Sequence, residues 1–385
     1  MKYNFDKTAN RLNTSSIKWD VKDNELPMWV ADMDFVAIPE IQEAIINTTK
    51  EGAFGYTYPT EEYFKAYQYW WNKRHHLEIP TSWMVFASGV VSALDSIVRS
   101  LSKENDGILL LTPVYHAFFN VIKNNRRTVV TSTLLEKDNY SIDYQDVENK
   151  IQTSNVKALI FCNPHNPVGR IWEKEEIKRL IDICNKYGVY FISDEIHCDI
   201  TDPGYEYNSA LSVNDNVIAC LSPGKVFNLA GIHSSVTVVK DEKIRKQLQE
   251  AFYHDDIGEP NYFAIPATIA AYTKGEAYVD ELNAYLYENK RYVSSFIKER
   301  LPKIKLVPGH ATYLLWLDIS ALNIRSDIFV AELRKKTGLI LSPGAQFGDG
   351  GAYYLRMNIA TSLANVKDAM NRLENYINSK EKKYA

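Results

Sequence analysis

Three short segments carry the side chains best suited to chemistry. Asn163-Pro164-His165-Asn166-Pro167-Val168-Gly169 uses two prolines and a glycine to fix an irregular loop that presents Asn166. Asp194-Glu195-Ile196-His197 offers a carboxylate and an imidazole, and Ser222-Pro223-Gly224-Lys225 offers an amine. Each segment follows an apolar run of strand type: Val156 to Cys162, Val189 to Ser193 and Asn216 to Leu221. Parallel sheets bind ligands beyond the carboxyl ends of their strands, so these turns are where a ligand is expected. Taken singly, Asn-Pro-x-Gly is a turn signal, an aspartate at a strand end is a helix cap, and a lysine after a turn is a solvated surface residue. Together, an amide, a carboxylate and an amine at three strand ends describe a site.

The elements that must position them alternate strand and helix. Trp83 to Ala87 reads as a strand and Ser88-Gly89 as a turn. Val91, Leu94, Ile97, Val98 and Leu101 then recur at helical spacing. Gly107 to Thr112 has the form of a buried parallel strand, Ile177, Leu180, Ile181 and Cys184 share one helix face that stops at Gly188, and Ser234 to Lys240 closes the series. The pattern predicts an α/β fold with a mostly parallel, doubly wound sheet over residues 39–274. From about Gly275 the texture changes to a long amphipathic helix ending near Leu301, strands at Ala311 to Ile319 and Tyr353 to Ile359, and a terminal helix from Ser362. That reads as a smaller α/β domain over 275–385. Residues 1–38 are expected to pack on this smaller domain or on a partner subunit, and a cleft between the units is the expected ligand site.

A length of 385 residues accommodates two packed units and excludes a disulfide miniprotein. Apolar residues at 45% and charged residues at 24% place the chain among folded globular proteins. A net charge of −4 draws it to neither nucleic acid nor anionic membrane, which leaves a small-molecule partner. Cys162, Cys184, Cys198 and Cys220 lie far apart without a Cys-x-x-Cys pair, so neither a metal site nor a disulfide framework is expected, and a reducing cytoplasm is. The first residues lack an apolar leader region, and no stretch has the roughly 20 apolar residues of a membrane span.

The chain resembles the fold-type I pyridoxal 5'-phosphate (PLP) enzymes, the class I/II aminotransferase-like superfamily. The resemblance rests on CNPHNPVGR at 162–170, SDEIH at 193–197 and SPGKVFNLAG at 222–231, and it extends over nearly the whole chain. SSIKWD at 15–20, LPMWVADMDF at 26–35, FGY at 54–56 and SGVVSAL at 88–94 are similar to the branch of cystathionine β-lyases and related carbon-sulfur lyases.

The resemblance implies roles. Lys225 would hold the cofactor aldehyde as a Schiff base and later act as base, since a lysine in a dry pocket loses its proton readily. Asp194 would keep the pyridine nitrogen protonated, and Tyr115 would lie flat against the ring, with Asn166 on its hydroxyl side and within reach of the substrate carboxylate. His197 stands where many relatives have a tyrosine and could meet the ring oxygen, or be a core histidine. The backbone N–H groups of Gly89, Val90 and Val91 at a helix N-terminus, with Ser222, would hold the phosphate. His233 occupies the position often held by arginine in aminotransferases, which favours the lyase branch. Tyr56 matches a tyrosine that reaches the phosphate in the neighbouring subunit and implies a homodimer with active sites at the interface; core packing with Phe54 and Tyr58 is its other reading. Arg356, in YLRMNIA, would grip the substrate α-carboxylate through two parallel donors, against the rival reading of a surface ion pair.

The activity so implied is α,β-elimination from cystathionine, cysteine or a cysteine conjugate, giving pyruvate, ammonia and a thiol or sulfide, with Tyr115 or a water protonating the leaving sulfur. An aminotransferase shares the early steps and differs in where the next proton goes. A PLP-binding regulatory or interaction protein would need a DNA-binding extension or a basic arm, and no segment before Phe5 or after Lys383 has room for one.

Overall fold

Strands buried on both faces favour near-continuous apolar runs, and Gly107–Thr112 and Val156–Cys162 have that form: six of six residues in the first are buried and six of seven in the second, Lys157 being the exception. The computed structural model describes residues 2–384. In chain order its strands are Leu26–Pro27 (β1), Met84–Ala87 (β2), Gly107–Thr112 (β3), Thr128–Thr133 (β4), Val156–Cys162 (β5), Tyr190–Asp194 (β6), Ile218–Leu221 (β7), Ser235–Val238 (β8), Lys305–Leu306 (β9), Leu314–Asp318 (β10), Leu339–Ile340 (β11), Ser342–Pro343 (β12) and Tyr354–Asn358 (β13). The principal sheet has the order β2-β8-β7-β6-β5-β3-β4. From β7 to β4 every pair is parallel, and only β8 runs against both of its neighbours.

Alternation along β3 shows why helices cover both faces. Ile108 and Leu110 belong to one core with the Val90–Leu101 helix, whereas Leu109 and Leu111 belong to the other with Ile177 and Leu180 of the Lys174–Lys186 helix. Each such fully buried aliphatic side chain stabilises the fold by about 1.5–3 kcal/mol. The α/β, mostly parallel, doubly wound expectation therefore holds. The Lys174–Lys186 helix starts in a capping box of Glu173 and Glu176 and stops before Gly188, whose φ of +66° an L side chain rarely adopts.

A second, antiparallel sheet has the order β12-β13-β10-β9 and places Arg356 between Ser342 and Trp316. The long helix Glu276–Arg300 and the helix Leu363–Tyr384 accompany it. The N-terminal stretch is tied to the same part of the chain: β1 pairs in parallel with β11, and the Asn358 amide donates to the carbonyls of Val30 (2.6 Å) and Asp32 (2.7 Å). Among the described residues, no helix is long and apolar enough to cross a membrane.

Candidate functional site

Because β5, β6 and β7 are adjacent and parallel, the turns that follow them open on one edge of the sheet. Asn166, Asp194 and Lys225 consequently line one pocket, together with Tyr115, His197 and Ser222. The Asn166 loop carries cis peptides before Pro164 and Pro167, and the Asn166 N–H donates to Cys162 Sγ at 3.4 Å. The half-buried Lys225 donates from Nζ to the carbonyl of Ala31 at 2.7 Å. That carbonyl also accepts from the Tyr313 hydroxyl at 3.0 Å, so the N-terminal stretch crosses the pocket mouth.

Charge is poorly compensated here. Burial brings the Lys225 amine down to about 8, with the Arg356 charge adding to the effect and Asp32 and Asp194 opposing it. Asp194 is 5% exposed, and burial pushes its carboxyl up to about 7. One of its oxygens accepts the Ile196 N–H at 3.1 Å, and no described residue bonds the other. His197 is held neutral, its pKa driven far below the ordinary range by burial and by the Lys225 and Arg356 charges, and its Nδ1 has no partner. Burial also raises the Tyr115 hydroxyl.

Arg356 is 3% exposed and no described carboxylate pairs with it, so it is no surface ion pair. Its Nη1 donates to Asn166 Oδ1 at 3.2 Å and its Nη2 to the Trp29 carbonyl at 2.9 Å, while Nε is unpartnered. The guanidinium lies 4.8 Å from the centre of the Phe347 ring, and burial lowers its pKa to about 10. A buried cation of this kind wants an anion, and a ligand carboxylate offers one.

The opposite end of the pocket is the N-terminus of the Val90–Leu101 helix, with Gly89 as its N-cap at φ +111°. The Gly89 N–H is turned into the fold, donating to the Ala87 carbonyl at 2.8 Å and to Ser235 Oγ at 3.2 Å. Val90, Val91 and Ser92 start the helix, so their N–H groups have no intrahelical acceptor. Ser222 donates to the Ser234 carbonyl at 2.7 Å and accepts from the Gly224 N–H at 3.0 Å. His233 lines the same end.

Tyr56 is not brought to this pocket within the chain. It is 100% exposed, beside Phe54 at 60% and Tyr58 at 75%, so the three do not form a core. Sequence reasoning missed Ser92 and the carbonyls of Trp29 and Ala31. Ser92 was within reach, as a hydroxyl in the first turn of an anion-facing helix. The carbonyls left no signal, since every residue carries one.

A family model described as aminotransferase class I and II matches residues 28–373. The chain is similar to cystathionine beta-lyase PatB from Bacillus subtilis, 37% identical over 383 residues that cover 96% of this chain and 99% of the relative. Among solved structures it is similar to cystalysin from Treponema denticola, which contains a pyridoxal 5'-phosphate cofactor (TM-score 0.94, 34% identity, 98% and 100% of the two chains covered). It is likewise similar to a PLP-bound C-S lyase from Staphylococcus hominis (TM-score 0.92, 31% identity, 98% of each chain covered).

Proposed function

This chain belongs to the class I and II aminotransferase family, and from that premise we propose that it is a PLP-dependent carbon-sulfur lyase acting on cystathionine, cysteine or cysteine conjugates. The observation that carries the reading is the meeting of Lys225, Asp194 and Asn166 around one pocket, with Arg356, which no described carboxylate pairs, bonded to Asn166 behind it, in a chain similar end to end to such lyases.

The residues fit the cofactor. Asp194 is a buried carboxylate lacking a cation, which a protonated ring nitrogen would supply. The open N–H groups of Val90 and Val91 suit a phosphate, as a helix N-terminus does, with Ser222 and His233 beside them. In this assignment the Gly89 contribution is the backbone turn, since its N–H is already engaged. Tyr115, His197 and Asn166 line the same pocket, where Tyr115 would lie against the ring and His197 with Asn166 would meet its oxygen. When bound, the cofactor supplies an aldehyde that takes up the substrate amino group and a ring that withdraws electrons from Cα.

Lys225 would hold the aldehyde, and its freed amine would take the Cα proton. With a pKa of about 8, roughly a tenth of it is already the free amine at pH 7. Arg356 and Asn166, bonded to each other, fix the substrate carboxylate so that the Cα–H bond lies near Lys225. The raised pKa of Tyr115 keeps its hydroxyl protonated and able to donate to a departing thiolate.

The exposed Phe54–Tyr58 stretch supports a homodimer in which Tyr56 reaches the partner's phosphate. Residues 39–274 then form the cofactor domain and 275–385 the smaller domain, with 1–38 packed on the latter. Four buried, unpaired cysteines support a reducing cytoplasm, and the similarity to a cystathionine beta-lyase supports a place in sulfur amino-acid metabolism. The test is to mix the purified holoprotein with cystathionine or cysteine and follow pyruvate without a keto-acid acceptor. Pyruvate forms if the reading is right; no pyruvate, with the substrate's own sulfur-containing keto acid appearing only when an acceptor is added, would make the protein an aminotransferase.

A further inference from the structure

Directly after Asp194 stands a second carboxylate that the reaction does not touch. Glu195 is fully buried, and its oxygens collect four donors: the Ser193 hydroxyl (2.8 Å), the Ser209 hydroxyl (2.7 Å), the Ala210 N–H (3.0 Å) and the Tyr207 hydroxyl. The donor directions are determined by what else these groups do. Ser209 Oγ already accepts from the Leu211 N–H at 3.2 Å, and the Tyr207 oxygen accepts from the Asn163 amide at 3.2 Å, so both hydroxyl protons are free to point at Glu195. Burial, the largest influence, raises the Glu195 carboxyl from its ordinary value, and the four hydrogen bonds it accepts oppose burial by favouring the charged carboxylate. No lysine, arginine or histidine pairs with it among the described residues.

The other titratable groups around it carry no compensating charge. Burial raises the thiols of Cys198 and Cys220 and the hydroxyl of Tyr207, which keeps all three neutral. On the pocket side stand Asp194, Lys225 and the neutral His197. The Glu195 charge therefore acts on Asp194, whose proton affinity it increases.

We infer that Glu195 is a positioning residue: an ionised carboxylate locked behind Asp194 by neutral donors, whose fixed negative charge keeps the Asp194–ring nitrogen pair protonated. This rests on Lys225 and Asp194 holding the cofactor as proposed above. Its chemistry is electrostatic, with no bond made or broken, and it explains why a serine-rich cradle surrounds a residue that never meets substrate.

The experiment is a pH titration of the absorbance of the cofactor bound at Lys225, in holoenzyme of the parent, Glu195→Gln and Glu195→Asp. Removing the charge should lower the midpoint by about one pH unit, the size expected of one nearby buried charge, while the charged aspartate leaves it within a few tenths. An unmoved midpoint in Glu195→Gln, or equal shifts in both variants, would overturn the inference. Ser209→Ala keeps the carboxylate and three of its donors, so the midpoint should stay within a few tenths of the parent; a drop as large as that of Glu195→Gln would show that the charge is not what acts and would overturn the inference as well. A parent protein that shows no absorbance from a Lys225-bound cofactor would instead overturn the functional reading, and the inference with it.

Discussion

Replacing Arg356 by lysine isolates what a guanidinium does at the carboxylate end of the pocket. The side chain is buried, bonds Asn166 Oδ1 and the Trp29 carbonyl, and has no carboxylate partner of its own. Lysine preserves the charge but offers a point donor in place of a planar pair, so one of two bonds to a substrate carboxylate is lost. A hydrogen bond to a charged group contributes about 1.5–3 kcal/mol, and about 1.4 kcal/mol is a factor of ten, so kcat/KM for cystathionine should fall roughly 10- to 100-fold. The loss should fall mainly on KM, because the carboxylate is held before and during the reaction alike. The assay is steady-state pyruvate release, with thermal unfolding to show that the variant is folded. Binding of the decarboxylated amine, read from cofactor absorbance, should hardly change. A kcat/KM within about twofold of the parent, or an equal loss for the amine, would refute the assignment.

Asp194 makes the cofactor-free protein's stability depend on pH. Its carboxyl titrates near 7 in the fold against 3.8 as a free side chain, so the folded chain binds the extra proton between those values. That contribution is fully present below about pH 4 and declines as pH rises to 7. Asp194→Asn should therefore gain stability relative to the parent across that window in urea titrations; a constant difference would contradict the burial argument. Tyr56→Ala, at a fully exposed position, should change protomer stability by less than about 0.5 kcal/mol yet lower the dimer fraction and cofactor retention in sedimentation and dialysis. Gly309→Ala would place a Cβ 2.4 Å from the Val168 carbonyl, in the loop that presents Asn166. It should cost about 1–3 kcal/mol in denaturant unfolding and raise KM, whereas an unchanged KM would show that loop to be insulated.

Much of this architecture was legible because its strands are covered on both faces. Runs such as Gly107–Thr112 and Val156–Cys162 need no context to be recognised, and the residues that follow them are the site. Thr128–Thr133 escaped notice because it is an edge strand in which only two of six residues are buried. The reversed direction of β8 was equally hidden, since an apolar run reads the same in either sense. At the site, side chains with distinctive chemistry announced themselves: Asn166, Asp194, Lys225 and Arg356. The Trp29 and Ala31 carbonyls did not, because Asn358 and β11 position them from more than 300 residues away. The turned Gly89 N–H depends on Ser235, on a strand far along the chain, and follows only from the fold.

The central claim is that the Lys225 amine carries the cofactor aldehyde. Borohydride reduction of the holoprotein, followed by digestion and peptide mass mapping, tests it most directly. The account requires the reduced pyridoxyl group on the peptide containing Lys225, with Lys225→Ala unlabelled. Label on another lysine of a fully active preparation would contradict it.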